Sequence, residues 1–175
     1  MAEIPVLRAF IAKSAFRTTP PVAPFLGVAV PRVQLFLSMR IMSFWLLKTE
    51  PSDFSYGDLE SRKRAVWDGV TNNTALMHIR AMRKGDGALI YHSGGEKCIV
   101  GRAEVVSDPY PDPKAGDPRF MVFEIAPAGR LPHPVPLSAI RERKDLSTLD
   151  LVRNSRLSVM PVAAPLWKKL LSMAE

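Results

Sequence analysis

The chain of 175 residues is 47% hydrophobic and 23% charged, which fits one globular domain, or one domain with a tail, and not two packed domains. Its one cysteine, Cys98, excludes a disulfide framework, a cysteine-rich zinc site and a dithiol redox centre. The formal net charge of +7 is compatible with a nucleic-acid or other anionic partner. No apolar run approaches the roughly 18 residues of a membrane span, so no membrane partner is expected.

Residues 1–41 differ from the rest of the chain in charge and in proline content. They carry five Arg or Lys residues against Glu3 alone, a balance of +4, whereas residues 42–175 carry only the remaining +3. Their spread prolines prevent any long helix. We predict an N-terminal extension over 1–41 that is disordered or lies upstream of the true start, and that is dispensable for folding. A targeting leader and an ordinary flexible tail are the alternatives.

The predicted domain spans 42–175. Its first half begins with a strand over 44–48, a short apolar run stopped by polar residues and a proline. Ser55, with Asp58 three residues later, is typical of a helix N-cap. A second short strand is predicted over 65–67. Apolar residues at helical spacing predict a helix over 72–82, and a strand follows over 88–92.

The second half is predicted to be mostly strands, over 99–106, 120–125 and 157–160, because β-branched and aromatic residues dominate these runs. The segment 93–97 is interpreted as a hairpin turn. Four prolines predict an exposed loop over 108–118. A helical turn is predicted over 137–143 and an amphipathic helix over 164–173.

Most catalytic motifs are missing from the sequence. No serine has the flanking glycines of a nucleophile elbow, and the spacing of a phosphate-binding loop is absent. A zinc deaminase needs more than one cysteine. The three histidines, His78, His92 and His133, have no partner at metal-ligand spacing. We therefore expect no metal, no cofactor and no enzymatic activity.

Polar residues beside aromatic ones mark three candidate positions. Trp67, Asp68 and Asn72 precede a predicted helix N-terminus and could bind a planar ring, or could be a core tryptophan and an N-cap. Ser93 ends a strand, where it could form hydrogen bonds or simply enter a turn. The third cluster spans residues 154–159. Arg156 could contact a phosphate there and Ser158 a base edge, and an ordinary surface ion pair is the alternative for Arg156.

Five segments in this order resemble the EVE domain family over about residues 43–175. They are FWLLKTEPSDFSYGDL (44–59), VWDGVTN (66–72), IYHSG (90–94), VGRAEVVSDPYPDP (100–113) and SRLSVMPV (155–162). The resemblance implies an α+β fold, a small PUA-like β-barrel of about five to six strands with flanking helices. The EVE domain family is similar to the YTH domain, which recognises methylated adenine.

The resemblance also implies a non-catalytic protein that holds a modified base of DNA or RNA, such as a methylated cytosine or adenine, in a pocket. Trp67 would be the stacking wall, Asn72 and Ser93 would bond the base edge, and Asp68 would hold the loop. The implied pocket residues are Lys48, Thr49, Trp67, Asp68, Asn72, Ser93 and Ser158, with Arg156 contacting the nucleic-acid backbone.

The sequence departs from the family after WDGV, where Thr71, Asn72 and Asn73 stand in place of an arginine followed by Asn-Tyr. One positive charge and one aromatic ring are therefore lost beside the implied pocket. The segment after Gly94 is also short, which limits the nucleic-acid contacts it could make.

Two other functions remain open. The same pocket could bind a small molecule or a nucleotide without any polymer. A nuclease or hydrolase built on Glu50, Asp68 and His92 is the catalytic alternative, although no motif places these groups together. A cytoplasmic location is expected, or the nucleus or an organelle if the source is eukaryotic.

Overall fold

The computed structural model describes residues 42–175, and the predicted extension over 1–41 lies outside the described residues. The strands are β1 (Phe44–Thr49), β2 (Ala65–Trp67), β3 (Gly87–His92), β4 (Cys98–Val105), β5 (Tyr110–Pro111), β6 (Met121–Pro136) and β7 (Val159–Pro161). The helices are α1 (Tyr56–Arg62), α2 (Asn73–Ala81), α3 (Leu137–Glu142), α4 (Asp150–Arg153) and α5 (Ala164–Ser172), with a 3-10 turn at Lys144–Leu146. No helix in this part of the chain is long and apolar enough to cross a membrane.

One sheet organises the domain, in the strand order β2-β6-β4-β3-β1-β7, with β5 paired to β6. β1 and β3 run parallel. Parallel neighbours need a crossover connection, and α1, β2 and α2 lie between them in the chain. The other pairs are antiparallel. The end of β1 therefore lies beside β7 on one side and β3 on the other.

The strand β6 has 16 residues and is much longer than the predicted 120–125. It contains four prolines, three of them in its second half, and proline cannot donate to a ladder. The pairing of β6 with β4 steps from Gly101↔Arg130 to Ile99↔Val135, so Pro132 and Pro134 fall in an irregularity. Such bulges bend a sheet, which is how β6 contributes to the curled sheet.

The predicted fold class, a small barrel-like sheet with flanking helices, is confirmed. The sequence predicted six strands, and the additional one is β5, which lies inside the predicted loop 108–118. It pairs Tyr110 with Val122 and Pro111 with Met121 of β6. The last strand, β7, begins at Val159, two residues after the predicted start.

The two helices in the connection between β1 and β3, α1 and α2, each begin at a side-chain cap. Ser55 Oγ accepts from the backbone N–H of Asp58 at 3.1 Å, and Asp58 Oδ2 accepts from the N–H of Ser55 at 2.8 Å. This capping box confirms the predicted N-cap. In α2, Ala75, Leu76 and Ile79 are buried. The Ser55 cap thus fixes the turn between β1 and α1.

Candidate functional site

An open cleft of about 900 Å³ lies where three separate segments of the chain meet. The first is the end of β1 with the turn that follows it, and the second is β2 with the loop to α2. The third is the loop before β7, and Lys114 reaches the cleft from the β5–β6 loop. The backbone N–H of Lys48 donates to Ser158 O at 2.8 Å, which joins the first segment to the third.

The structure brings together seven of the eight residues that the resemblance implied. The cleft is lined by Lys48, Thr49, Trp67, Asp68, Asn72, Arg156 and Ser158. Ser93 is the exception, and its side chain contacts the cleft wall from behind.

Trp67 lines the cleft and also packs in the core. It is 7% exposed, and it pairs with Phe123 across the sheet. Phe54 meets its ring edge-on, with centroids 6.2 Å apart and an interplanar angle of 86°. Both interpretations of Trp67 therefore hold in part, since the indole belongs to the core and offers the cleft only a narrow surface.

Asn72 caps α2 and stands at the mouth of the cleft. Its Oδ1 accepts from the backbone N–H of Ala75 at 3.0 Å. The N-cap alternative for Asn72 is therefore correct. The capping bond occupies the carbonyl and leaves the amide NH₂ as a donor on the exposed side.

Lys48 spans the cleft wall between β1 and the loop before β7. Its Nζ donates to Ser155 O at 2.6 Å and lies 5.9 Å from the centre of the Tyr91 ring. Partial burial removes water from the ammonium and lowers the pKa of Lys48 below its usual 10.5. The ammonium group of Lys48 is thus held in place by a hydrogen bond to a backbone carbonyl.

Ser93 does not line the cleft, contrary to its implied role at the base edge. Its Oγ lies 2.9 Å from Glu50 Oε2 and 3.0 Å from Thr49 O, and its N–H donates to Thr49 O at 2.8 Å. Thr49 Oγ1 donates to Phe54 O at 2.9 Å. The hydroxyl of Ser93 is therefore directed at β1 and Glu50, and it acts on the cleft only through that carboxylate.

Several cleft residues were missed by the sequence reasoning. They include Asp53, Phe54, Arg62, Arg64 and Lys114, while Glu50 was named only for the catalytic alternative. Glu50, Asp53 and Phe54 lie inside the quoted segment 44–59, so the resemblance could have identified them. Lys114 carries no such sequence signal, because the proline-rich loop had no predictable position.

Positive charge predominates around the cleft, with five Lys or Arg side chains against three carboxylates. Lys114 Nζ lies 3.2 Å from Asp68 Oδ2, and Arg64 pairs with Glu124. The Arg62 guanidinium lies 5.4 Å from the centre of the Phe54 ring. Arg156 is exposed, and its guanidinium has no hydrogen-bond or ion-pair partner within residues 42–175. This arrangement suits an anionic ligand with a planar part.

The catalytic alternative built on Glu50, Asp68 and His92 does not assemble. Glu50 and Asp68 line the cleft, but His92 is buried elsewhere. Its Nε2 accepts from the N–H of Tyr56 at 3.0 Å, and its Nδ1 lies 2.7 Å from Glu96 Oε2. Both ring nitrogens are engaged, so His92 cannot serve the cleft as a base. Nowhere in residues 42–175 do three His, Cys, Asp or Glu side chains group as metal ligands.

Comparison with known proteins places the chain among characterised folds. The family model described as EVE domain matches residues 43–173. Thymocyte nuclear protein 1 of Mus musculus is 27% identical over 170 residues, covering 78% of this chain and 75% of its own.

Two solved structures share the fold over most of their length. A protein of Rhodopseudomonas palustris solved by NMR has 38% identity and a TM-score of 0.73, covering 76% of this chain and 93% of its own. The human THYN1 protein, crystallised in complex with 5-methylcytosine-containing DNA, has 26% identity and a TM-score of 0.70, covering 76% and 98%.

Proposed function

This chain belongs to the EVE domain family, and we propose that it binds DNA carrying a modified base, holding that base in the cleft without changing it chemically. The observation that carries the proposal is the composition of the cleft. Two aromatic residues, Trp67 and Phe54, here called the floor, line the cleft together with hydrogen-bonding side chains and with five Lys or Arg residues. The human THYN1 complex with 5-methylcytosine-containing DNA supports 5-methylcytosine as the first modification to test.

Each part of the cleft matches one part of such a ligand. Aromatic rings stack on extruded bases, and polar side chains form hydrogen bonds to the base edge. Arginine and lysine side chains contact phosphates. Within residues 42–175 the Arg156 guanidinium has no partner and is available to a phosphate, whereas Lys114 would first have to leave Asp68.

The decisive measurement is the affinity of the full chain for two DNA duplexes that differ only in one methyl group. Burying a methyl is worth about 1 kcal/mol, so the duplex with 5-methylcytosine should bind about fivefold more tightly than the one with cytosine. Equal affinity for both duplexes would contradict recognition of this modification. The same pair made in RNA tests whether the sugar matters.

The cleft volume also falls within the range of small-molecule sites. A salt titration separates the two ligand classes. For a polymer, the logarithm of affinity falls with the logarithm of salt concentration by about 0.7 to 0.9 per phosphate contact. A nucleoside that binds as tightly as the oligonucleotide, with no such slope, would favour the small-molecule function.

A further inference from the structure

We propose that Glu50 determines which base the cleft accepts, by receiving a hydrogen bond from the exocyclic amino group of the bound base. Bases of the cytosine class would then be selected over thymine and uracil. This inference rests on the proposed function, because it requires a base in the cleft.

The position of Glu50 is fixed by its surroundings. It follows β1 directly and lines the cleft. Its backbone carbonyl accepts from the N–H groups of Asp53 and Phe54 at 3.0 and 2.9 Å, which closes the turn after β1. Its Oε2 accepts from Ser93 Oγ at 2.9 Å. Backbone and side chain are thus both anchored.

Gly94 provides the space that the carboxylate occupies. A Cβ at this glycine would lie 2.0 Å from Glu50 Oε1 and 2.7 Å from Cδ, and the backbone φ is +63°. Glycine adopts that φ without strain, and it alone leaves the carboxylate room. The Glu50 carboxylate therefore lies directly against Gly94, and its Oε2 is held by the hydrogen bond from Ser93.

An ionised carboxylate can accept hydrogen bonds but cannot donate one. Within residues 42–175, Glu50 forms no ion pair. Ser93 is the one side chain in that range that donates a hydrogen bond to its carboxylate. A negative charge repels phosphate, so this group suits a nucleic-acid cleft only where it faces the base. The amino group of cytosine is the donor that Glu and Asp accept from in base recognition.

Thymine presents the opposite chemistry at the same place. It carries the same 5-methyl group as 5-methylcytosine, but an oxygen replaces the amino group. Two acceptors would then face each other, and the carboxylate would lose its water without gaining a bond. Selectivity would thus come from an unfavourable contact with the wrong base as well as from a favourable one with the right base.

The test compares 5-methylcytosine and thymine at one position of the same duplex, each placed opposite an abasic site so that extrusion breaks no base pair. The full-length parent should prefer 5-methylcytosine. Glu50→Gln offers an amide that can bond either base, and should lower this preference by about 5- to 150-fold. Glu104→Gln removes the same charge at an exposed carboxylate outside the cleft and should keep the preference.

The outcomes separate this inference from the proposed function. If Glu50→Gln keeps the full preference while the parent still favours 5-methylcytosine over cytosine, the Glu50 inference is overturned and the proposed function stands. A parent that does not distinguish 5-methylcytosine from thymine also overturns it. Should Glu50→Gln fail to fold, Glu50→Ala decides, because it removes the acceptor without adding an amide. An unchanged preference in Glu50→Ala would then refute the inference.

Discussion

The ring of Phe54 meets the indole of Trp67 edge-on at 6.2 Å, so the floor of the cleft is continuous with the hydrophobic core. A tryptophan that belongs to both a core and a binding surface contributes to two properties at once. Stability and affinity must therefore be measured together for any variant of the floor.

Trp67→Ala should lower both quantities. Loss of a buried aromatic side chain should reduce the free energy of unfolding by about 3 to 5 kcal/mol. Loss of base stacking should weaken binding to the modified duplex about 5- to 150-fold. The matched control is Trp167→Ala, because Trp167 is 9% exposed, stacks on Phe44 at 4.5 Å and does not line the cleft.

The control should melt lower and bind as the parent does, when affinity is measured well below both melting temperatures. If the two variants lose affinity equally, the effect is loss of fold, and the assignment of Trp67 to the binding surface is wrong.

Asn72 is tested by separating its cap from its amide. Asn72→Ala removes the acceptor for the Ala75 N–H and should lower stability by about 1 kcal/mol. Serine caps helices as well as asparagine does, so Asn72→Ser should melt like the parent. It lacks the amide NH₂, however, and should bind the modified base more weakly. Parent-like affinity in Asn72→Ser would show that the amide does not contact the ligand.

Local patterns in the sequence predicted those elements that local physics decides. The apolar run of β1, the Ser55 capping box and the helical spacing of α2 each arise from residues close in the chain, and each is present. The second half of β6 was missed because it contains three prolines, and two of them, Pro132 and Pro134, are accommodated by an irregularity in its pairing with β4. Long-range pairing cannot be recognised from a single strand's composition.

The cleft shows the same division. Trp67, Asn72 and Ser158 were identified through the resemblance, and the structure gathers them in one cleft. Ser93 does not line the cleft, because its hydroxyl is directed at Glu50, a contact between strand ends that the sequence does not reveal. Its implied contact with a base edge stays a prediction. Lys114 was missed because the loop carrying it is positioned by β5 pairing with β6.

Arg156→Gln should weaken binding to modified and unmodified duplexes equally. Removing one phosphate contact should also make the slope of log affinity against log salt shallower by about 0.7 to 0.9. Arg141→Gln, at an exposed arginine outside the cleft, is the control and should leave the slope unchanged. A salt slope in Arg156→Gln equal to that of the parent would place this arginine away from the phosphates.

Lys48 should give binding a distinctive pH dependence. Its pKa is lowered by burial, so the ammonium loses its proton before an ordinary lysine does as pH rises toward 10.5. An anionic ligand prefers the protonated form, hence affinity should fall over this range. Lys48→Arg stays charged throughout and should keep its affinity to higher pH. Identical pH profiles for parent and variant, at fixed salt, would exclude a contribution of Lys48 to binding.

Gly94→Ala should disturb both the fold and the cleft, whereas Gly95→Ala should disturb neither. At Gly94 an added Cβ meets Glu50 and adopts a φ of +63°, but at Gly95 nothing lies within 4 Å and φ is not positive. A left-handed conformation costs a non-glycine residue about 1 to 2 kcal/mol. We therefore expect Gly94→Ala to lower the free energy of unfolding by at least that amount more than Gly95→Ala does, and to melt at a lower temperature.

The binding measurement then distinguishes strain from displacement of Glu50. Strain alone would lower the melting temperature and leave the preference for 5-methylcytosine over thymine intact. Displacement of the carboxylate would reduce that preference in the same direction as Glu50→Gln, at temperatures where the variant remains folded. A variant that melts lower but discriminates like the parent would mean that Gly94 serves only the turn, because the carboxylate could then move without consequence for the bound base.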